Sequence, residues 1–298
     1  MRVTPNMTAD NSVYNLQQNR VKLDSLQAQI ASGTNIHNPS DDPIATRQLL
    51  DLEGQLKSGE QFSGNINKAK VWLNISDTAL VGISTMVKQA KSVAANIGSG
   101  SSDPTVLATA VSQLNEIKKQ LVSLGNTQLG DQYIFGGFKD SIPPFNPPNA
   151  PDNAYHGTTD PINVNIDKNS QVAINVTGDT LLTGAGGGVN ILQQIDNLTA
   201  AISANNVPAI QAAATQIDTS SNQIANARSD VAGRIVRLDS AEKMIALNKN
   251  TVQTLVENIQ NVDMIKAATE LTQQKTAFEA ALSATAKISQ ISLLDYLK

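Results

Sequence analysis

The spacing of apolar residues changes twice along this chain. From Val13 through Leu16, Leu23, Leu26 and Ile30 they recur every three or four positions, which predicts an amphipathic helix whose single stripe ends at Ser32 and Gly33. Turn-forming residues follow, from Thr34 through Asn38, Pro39, Ser40 and Asp41 to Asp42 and Pro43. Asp42 is placed to cap a new helix, and Pro43 to occupy its first position, where the missing N–H has no partner to lose. Beyond it, Phe62, Ile66, Ala69, Leu73, Ser76, Leu80, Ile83, Val87, Ala90, Ala94 and Ile97 alternate steps of four and three, a coiled-coil seam of about five heptads. Residues 98–102 break it, Asp103 and Pro104 restart it, and Leu107, Ala110, Leu114, Ile117, Leu121 and Leu124 carry it back in an antiparallel helix.

After Gly125 the period becomes two. Tyr133-Ile134-Phe135 reads as a strand, and Ile162, Val164, Ile166 and then Val172, Ile174, Val176 alternate with polar residues. A rigid proline-rich loop, 143–148, lies between them, and residues 184–188, almost all glycine, read as a flexible boundary. Helical spacing resumes at Ile191, Ile195, Leu198 and Ile202, pauses at Pro208, and continues through Ile210, Ile217, Ile224, Val231, Leu238, Ile245, Val252, Ile259 and Val262 into the terminal segment. The expected fold is mainly α: an elongated, nested helical bundle or coiled coil with a small β-rich inserted domain at its tip. Residues 1–42 and 253–298 are the two parts of an assembly region, 43–130 and 189–252 the two halves of the bundle, and 131–188 the insert.

Composition sharpens this picture. Apolar residues are 40% of the chain but aromatics only 3%, so the core rests on Ala, Leu, Ile and Val, as in bundles with closely spaced axes. Charged residues are only 16%, which suits a surface that packs against copies of itself. The terminal segments are the extreme case: ordering them costs more conformational entropy than one modest stripe returns. Both ends are therefore expected to be disordered in a lone monomer and to become helical when neighbours cover them.

Candidate chemistry is thin. A net charge of -4 with scattered Lys and Arg argues against a nucleic-acid partner, and no apolar stretch reaches the roughly 20 residues of a membrane span. Met1 to Pro5 runs into polar residues, so export, if it occurs, is expected not to cleave a hydrophobic leader. There is no cysteine, and His37 and His156 sit in separate predicted loops without the spacing of a metal site. Asp41 and Asp42 are neighbours before a proline and suit capping better than acid-base work. The glycines at 184–188 lack the Lys-Ser/Thr of a phosphate loop, and the serines lack a His and Asp to make a triad. No cofactor is expected. Polar faces built from Gln, Asn, Thr and Asp favour partner helices over lipid.

Three stretches carry a family resemblance. Residues 31–45, reading Ala-Ser-Gly-Thr-Asn-Ile-His-Asn-Pro-Ser-Asp-Asp-Pro-Ile-Ala, resemble the N-terminal turn of the bacterial flagellin family, in the form found in its hook-associated junction branch. Residues 130–138, Gly-Asp-Gln-Tyr-Ile-Phe-Gly-Gly-Phe, are similar to the step by which that branch leaves the bundle for a β domain, and 228–239 resemble the returning helix. The ending, 289–298, matches neither the usual flagellin finish nor a pattern diagnostic of the branch.

The resemblance implies a structural, non-enzymatic flagellar protein, exported unfolded through the type III channel and assembled outside the cell as a junction adaptor. Its expected partners are copies of itself, another hook-associated protein, filament flagellin, and an export chaperone that holds the C-terminal helix. Terminal helices would form an inner tube, the coiled coil a wall, and the insert would face outward. Leu16, Leu23, Leu26, Ile30, Ile259, Val262, Leu271, Phe278, Leu282, Ile288 and Ile291 would pack between subunits, and the turn would rest on Ser32, Gly33, Asn38, Pro39, Asp41, Asp42 and Pro43. The alternatives are a self-polymerising filament flagellin and a secreted hydrolase carried in the insert.

Overall fold

The computed structural model describes residues 5–98, 103–146 and 153–296; side chains at 5, 6, 8, 9 and 288–296 lie outside that description. The described residues form six α-helices: α1 (Pro5–Ser32), α2 (Pro43–Gly98), α3 (Pro104–Gly125), α4 (Ile191–Ser203), α5 (Val207–Gln260) and α6 (Met264–Tyr296). Among the described residues between α3 and α4 lie four short strands, β1 (Gln128–Leu129), β2 (Gln132–Tyr133), β3 (Asn163–Asp167) and β4 (Ser170–Ala173), and a π-helical turn, Asp179–Thr183. The architecture is thus mainly α with a small β-rich insert, nested in the order the periodicities require. The chain forms two compact units, Gly59–Leu247 and the paired ends Met1–Ser58 with Asn248–Lys298, and the divisions fall inside α2 and α5.

In the first unit α2 and α5 run antiparallel, as their ion pairs fix: Lys70 with Asp239 at 2.6 Å and Glu242 at 2.9 Å, Asp77 with Arg228 at 3.0 Å, and Lys91 with Asp218. Hydrogen bonds donated to Asp239 and then to Glu242 raise the Lys70 ammonium above its ordinary range. The seam is closed: Ile66, Leu73, Leu80, Ile83, Ile224, Val231 and Leu238 are wholly buried. α3 and α4 pack beside it as an antiparallel hairpin, with Lys118 Nζ 2.8 Å from both carboxylate oxygens of Asp196. Helix starts follow capping chemistry. Asp103 Oδ1 accepts from Thr105 N at 2.8 Å, and Asn190 Oδ1 from Gln193 N at 3.0 Å. Between α4 and α5 the break falls at Asn205, which has φ 49°, and Asn206, whose Oδ1 accepts from Ala209 N.

The insert sits at the tip of the α3–α4 hairpin. β1 and β2 pair Gln128 with Tyr133 and Leu129 with Gln132 around Gly130, whose φ of 62° meets the demand of the two-residue turn. The expected strand at 133–135 stops at Tyr133. Ile134 and Phe135 are wholly buried: Ile134 N still donates to Thr127 O in the hairpin's register, but Phe135 O leaves it and accepts from Gly178 N and from Tyr155 Oη. β4 likewise ends at Ala173, so Ile174 and Val176 lie beyond it. The Phe145 and Tyr155 rings, 5.7 Å apart and tilted, fill the insert's centre. Asn126 holds Phe145 by bonding both its N–H and its C=O. Burial, with the nearby Asp179 carboxylate as a second cause, pushes the Tyr155 hydroxyl up to about 12.

In the second unit α1 and α6 form an antiparallel pair: Gln274 Nε2 donates to Asn19 O, while the chain at 33–35 meets 260–262. Neither Gly nor Pro marks the break that makes this possible, residues 261–263 reading Asn-Val-Asp. Asp263 makes it by capping α6, its Oδ1 accepting from Ile265 N at 3.0 Å and Lys266 N at 3.1 Å.

Candidate assembly site

The two features singled out in the sequence, the terminal stripes and the turn, are neighbours in the second unit. Half-buried positions on α1 include Leu16, Asn19, Leu23, Leu26 and Ile30, and on α6 Leu271, Gln274 and Phe278 follow the buried Ala267. Both rows step by four and three, so the helices meet along a heptad seam. Leu16, Leu23, Leu26, Ile30, Leu271 and Phe278 therefore face the chain's own other end. Ile259 and Val262 are half-buried at the α5–α6 break rather than on α6. Leu282 lies off the seam and is 53% exposed. The side chains of Ile288 and Ile291 are outside the described residues.

The turn is held by short-range hydrogen bonds that its residue types explain. Gly33, with φ 71°, terminates α1 in the left-handed region and donates to Gln29 O at 2.9 Å. Ser32 Oγ lies 2.8 Å from His37 Nε2 and 3.0 Å from Thr34 Oγ1. Asp41 Oδ2 accepts from Asn38 N at 2.8 Å and His37 N at 3.2 Å, closing the loop around Pro39. These backbone donors hold the Asp41 carboxyl below its usual value of 3.8, with His37 charge a lesser cause. Asp42 Oδ1 accepts from Ile44 N and Ala45 N, capping α2 with Pro43 at its first position. The turn is also tied across the unit. Asn35 N donates to Gln260 O at 2.7 Å, Val262 N donates to Gly33 O at 3.0 Å, and Thr34 bridges Asn261.

One apolar row escaped the sequence reading. Met7, Tyr14 and Val21 recur every seven residues on the side of α1 opposite the seam, and all three are more than half exposed. Three apolar residues at a strict heptad repeat were the available signal. Val13, assigned to the stripe by spacing, is also exposed, as are Met264 and Ile265 at the start of α6. The site thus has one apolar side satisfied internally and a second, periodic one facing solvent. Among the described residues no group of three His, Asp or Glu converges as a metal site, and no helix is long and apolar enough to cross a membrane.

A molecule whose two ends pair as helices around a capped turn, with a bundle and β insert between them, has the organisation of the flagellins. Residues 3–140 match the bacterial flagellin N-terminal helical region and 214–297 the C-terminal helical region, so the chain belongs to the bacterial flagellin family. Within it, the chain is similar to the flagellar hook-associated protein 3 of Salmonella typhimurium, 22% identical over 98% of both chains. The flagellin of Bacillus subtilis is 21% identical over 97% of both. A solved structure of a putative flagellar hook-associated protein from Vibrio parahaemolyticus superimposes with a TM-score of 0.68 at 25% identity, all of that chain matching 74% of this one.

Proposed function

We propose that this protein is the hook–filament junction adaptor of a bacterial flagellum, a structural component and not an enzyme. The observation that carries this reading is the row Met7, Tyr14 and Val21, exposed with Leu282 on helices that match the terminal regions of flagellins. A periodic apolar row on a helix that already has one partner is suited to a second. Copies of the same chain cover it laterally. Another hook-associated protein meets the assembly on the hook side, and filament flagellin meets it on the other. Assembly takes place outside the cell after export of the unfolded chain. An export chaperone holds the α6 segment until then, by the same helix-in-groove packing.

A strain lacking the gene is expected to carry bare hooks and to lose filament monomers to the medium. Restoring it with Leu282→Asp should give a protein with wild-type melting of its bundle that does not rebuild filaments, because a charge resists burial between helices. Normal flagella from that variant would remove Leu282 from the assembly surface. Long filaments grown from the purified wild-type protein alone would make it a filament flagellin instead.

A further inference from the structure

The flank of α2 beside its closed seam runs Asn65, Trp72, Ala79, Met86 and Val93, one residue every seven. Its C-terminal end has helical cover. Val93 shares a cavity of about 240 Å³ with Thr105 and Thr109 of α3, and Leu124, in the last turn of α3, would lie 2.9 Å from a Cβ added at Gly82. α3 ends one residue later, yet the flank stays covered. Trp72, beyond the reach of α3, is only 8% exposed, and a further two turns on Asn65 Nδ2 donates to Asn165 O of β3 at 2.9 Å.

The partner helix repeats the arrangement. On α5, Gln223, Asp230 and Arg237 recur every seven residues with Arg234 between them, and the insert is fastened to three of these four. Gln223 Nε2 donates to Thr180 O at 3.0 Å and Leu181 O at 2.9 Å while its Oε1 accepts from Val189 N at 2.8 Å. The glycine-rich segment before Val189 therefore wraps a carboxamide and is not a free boundary: a Cβ at Gly188 would come within 2.4 Å of Gln223 Oε1. Arg234 Nη1 donates to Ala173 O at 3.1 Å, at the last residue of β4, and to Asn175 O at 2.8 Å just beyond it, and Arg237 Nη2 reaches Ser170 Oγ at 3.0 Å.

We propose that the insert is a structural stave of the bundle: it continues the layer that α3 and α4 begin, and the α2–α5 pair over residues 65–80 and 223–245 stays closed only while it is docked. Two long helices alone present two flanks to water, and burying a flank as well as a seam takes a third layer. Apart from the Arg237–Ser170 bond, the fastening is addressed to main-chain groups, so it holds the insert's path without dictating most of its side chains. This reading is independent of the junction role.

The test uses the full chain with Gln223→Ala and Arg234→Met together, read by amide hydrogen exchange and by emission of Trp72, the single tryptophan. The expected result is at least tenfold faster exchange in 65–80 and 224–245, unchanged exchange in 83–97, and a red shift of the emission. If the amides of Gly178 and Val189 speed up while 65–80 and Trp72 keep their wild-type behaviour, the insert is an appendage and the proposal fails. It fails equally if no segment changes. Should the double variant not fold, Asn65→Ala alone must accelerate exchange in 65–72 more than in 83–97; equal acceleration, or none, overturns it.

Discussion

α2 with α5 between Gly59 and Leu247, and α1 with α6, are both antiparallel helix pairs built on apolar steps of four and three. Leu73 and Leu80 are wholly buried in the first, whereas Leu23 and Phe278 are half-buried in the second. The residue types do not differ enough to explain this. The number of layers does: among the described residues α3, α4 and the insert lie against the first pair, while α1 and α6 pair with each other. Among the described residues of the paired ends, Val252 and Ala267 are the buried apolar side chains, against more than thirty between Ile66 and Leu238. A heptad pattern specifies which face is apolar, and burial is decided by how many neighbours reach that face.

The sharpest way to break the comparison is to make the same substitution in both pairs. Leu73→Ala opens a cavity in a closed seam and should cost about 2–5 kcal/mol. Leu23→Ala removes a side chain that already touches water and should cost about 1 kcal/mol. Urea unfolding followed by Trp72 emission reads the first, and loss of helical circular dichroism reads the second. Equal costs would mean that the terminal pair is as well packed as the bundle.

A smaller effect isolates the turn from the seam. Gly33 has φ 71°, and a Cβ added there meets nothing within 4 Å, so Gly33→Ala isolates backbone strain. The expected loss is about 1 kcal/mol, confined to the terminal pair and visible as faster amide exchange in α1 and α6. An unchanged exchange profile would show that the left-handed turn does not limit pairing of the ends.

What was legible in the sequence follows the same division. The long seam from Ile66 to Ile97, its antiparallel partners and the helix starts at Asp42 and Asp103 are local features, written in spacing and capping chemistry. So was the change of period that marks the insert. The α5–α6 break was hidden because Asn261 and Val262 are engaged by Thr34 and Gly33 from the other end of the chain, and the local cap at Asp263 has no Gly or Pro beside it. Ile134 and Phe135 read as strand because burial and alternation look alike in a short apolar run. The carboxamide of Gln223 was invisible inside a polar helix face, since nothing local shows that a glycine loop will wrap it. The row Met7, Tyr14 and Val21 was legible as a repeat but was masked by the stronger stripe beside it.

The smallest effect concerns pH, and it separates the turn's electrostatics from the packing around it. Asp41 is fully exposed, and its carboxyl is lowered from 3.8 chiefly by the backbone N–H groups of Asn38 and His37. A carboxylate favoured by the folded turn contributes stability that is present above its unfolded value and is lost as pH falls through the lowered one. Acid should therefore loosen the loop at and below pH 3.8. Asp41→Asn keeps an oxygen acceptor but abolishes the titration. Amide chemical shifts of His37 and Asn38, followed from about pH 5 to about pH 2, should move in the wild type and stay flat in the variant. A matching transition in both would assign the acid response to another carboxylate and leave the turn held by Gly33 and the Asn35–Gln260 contact alone.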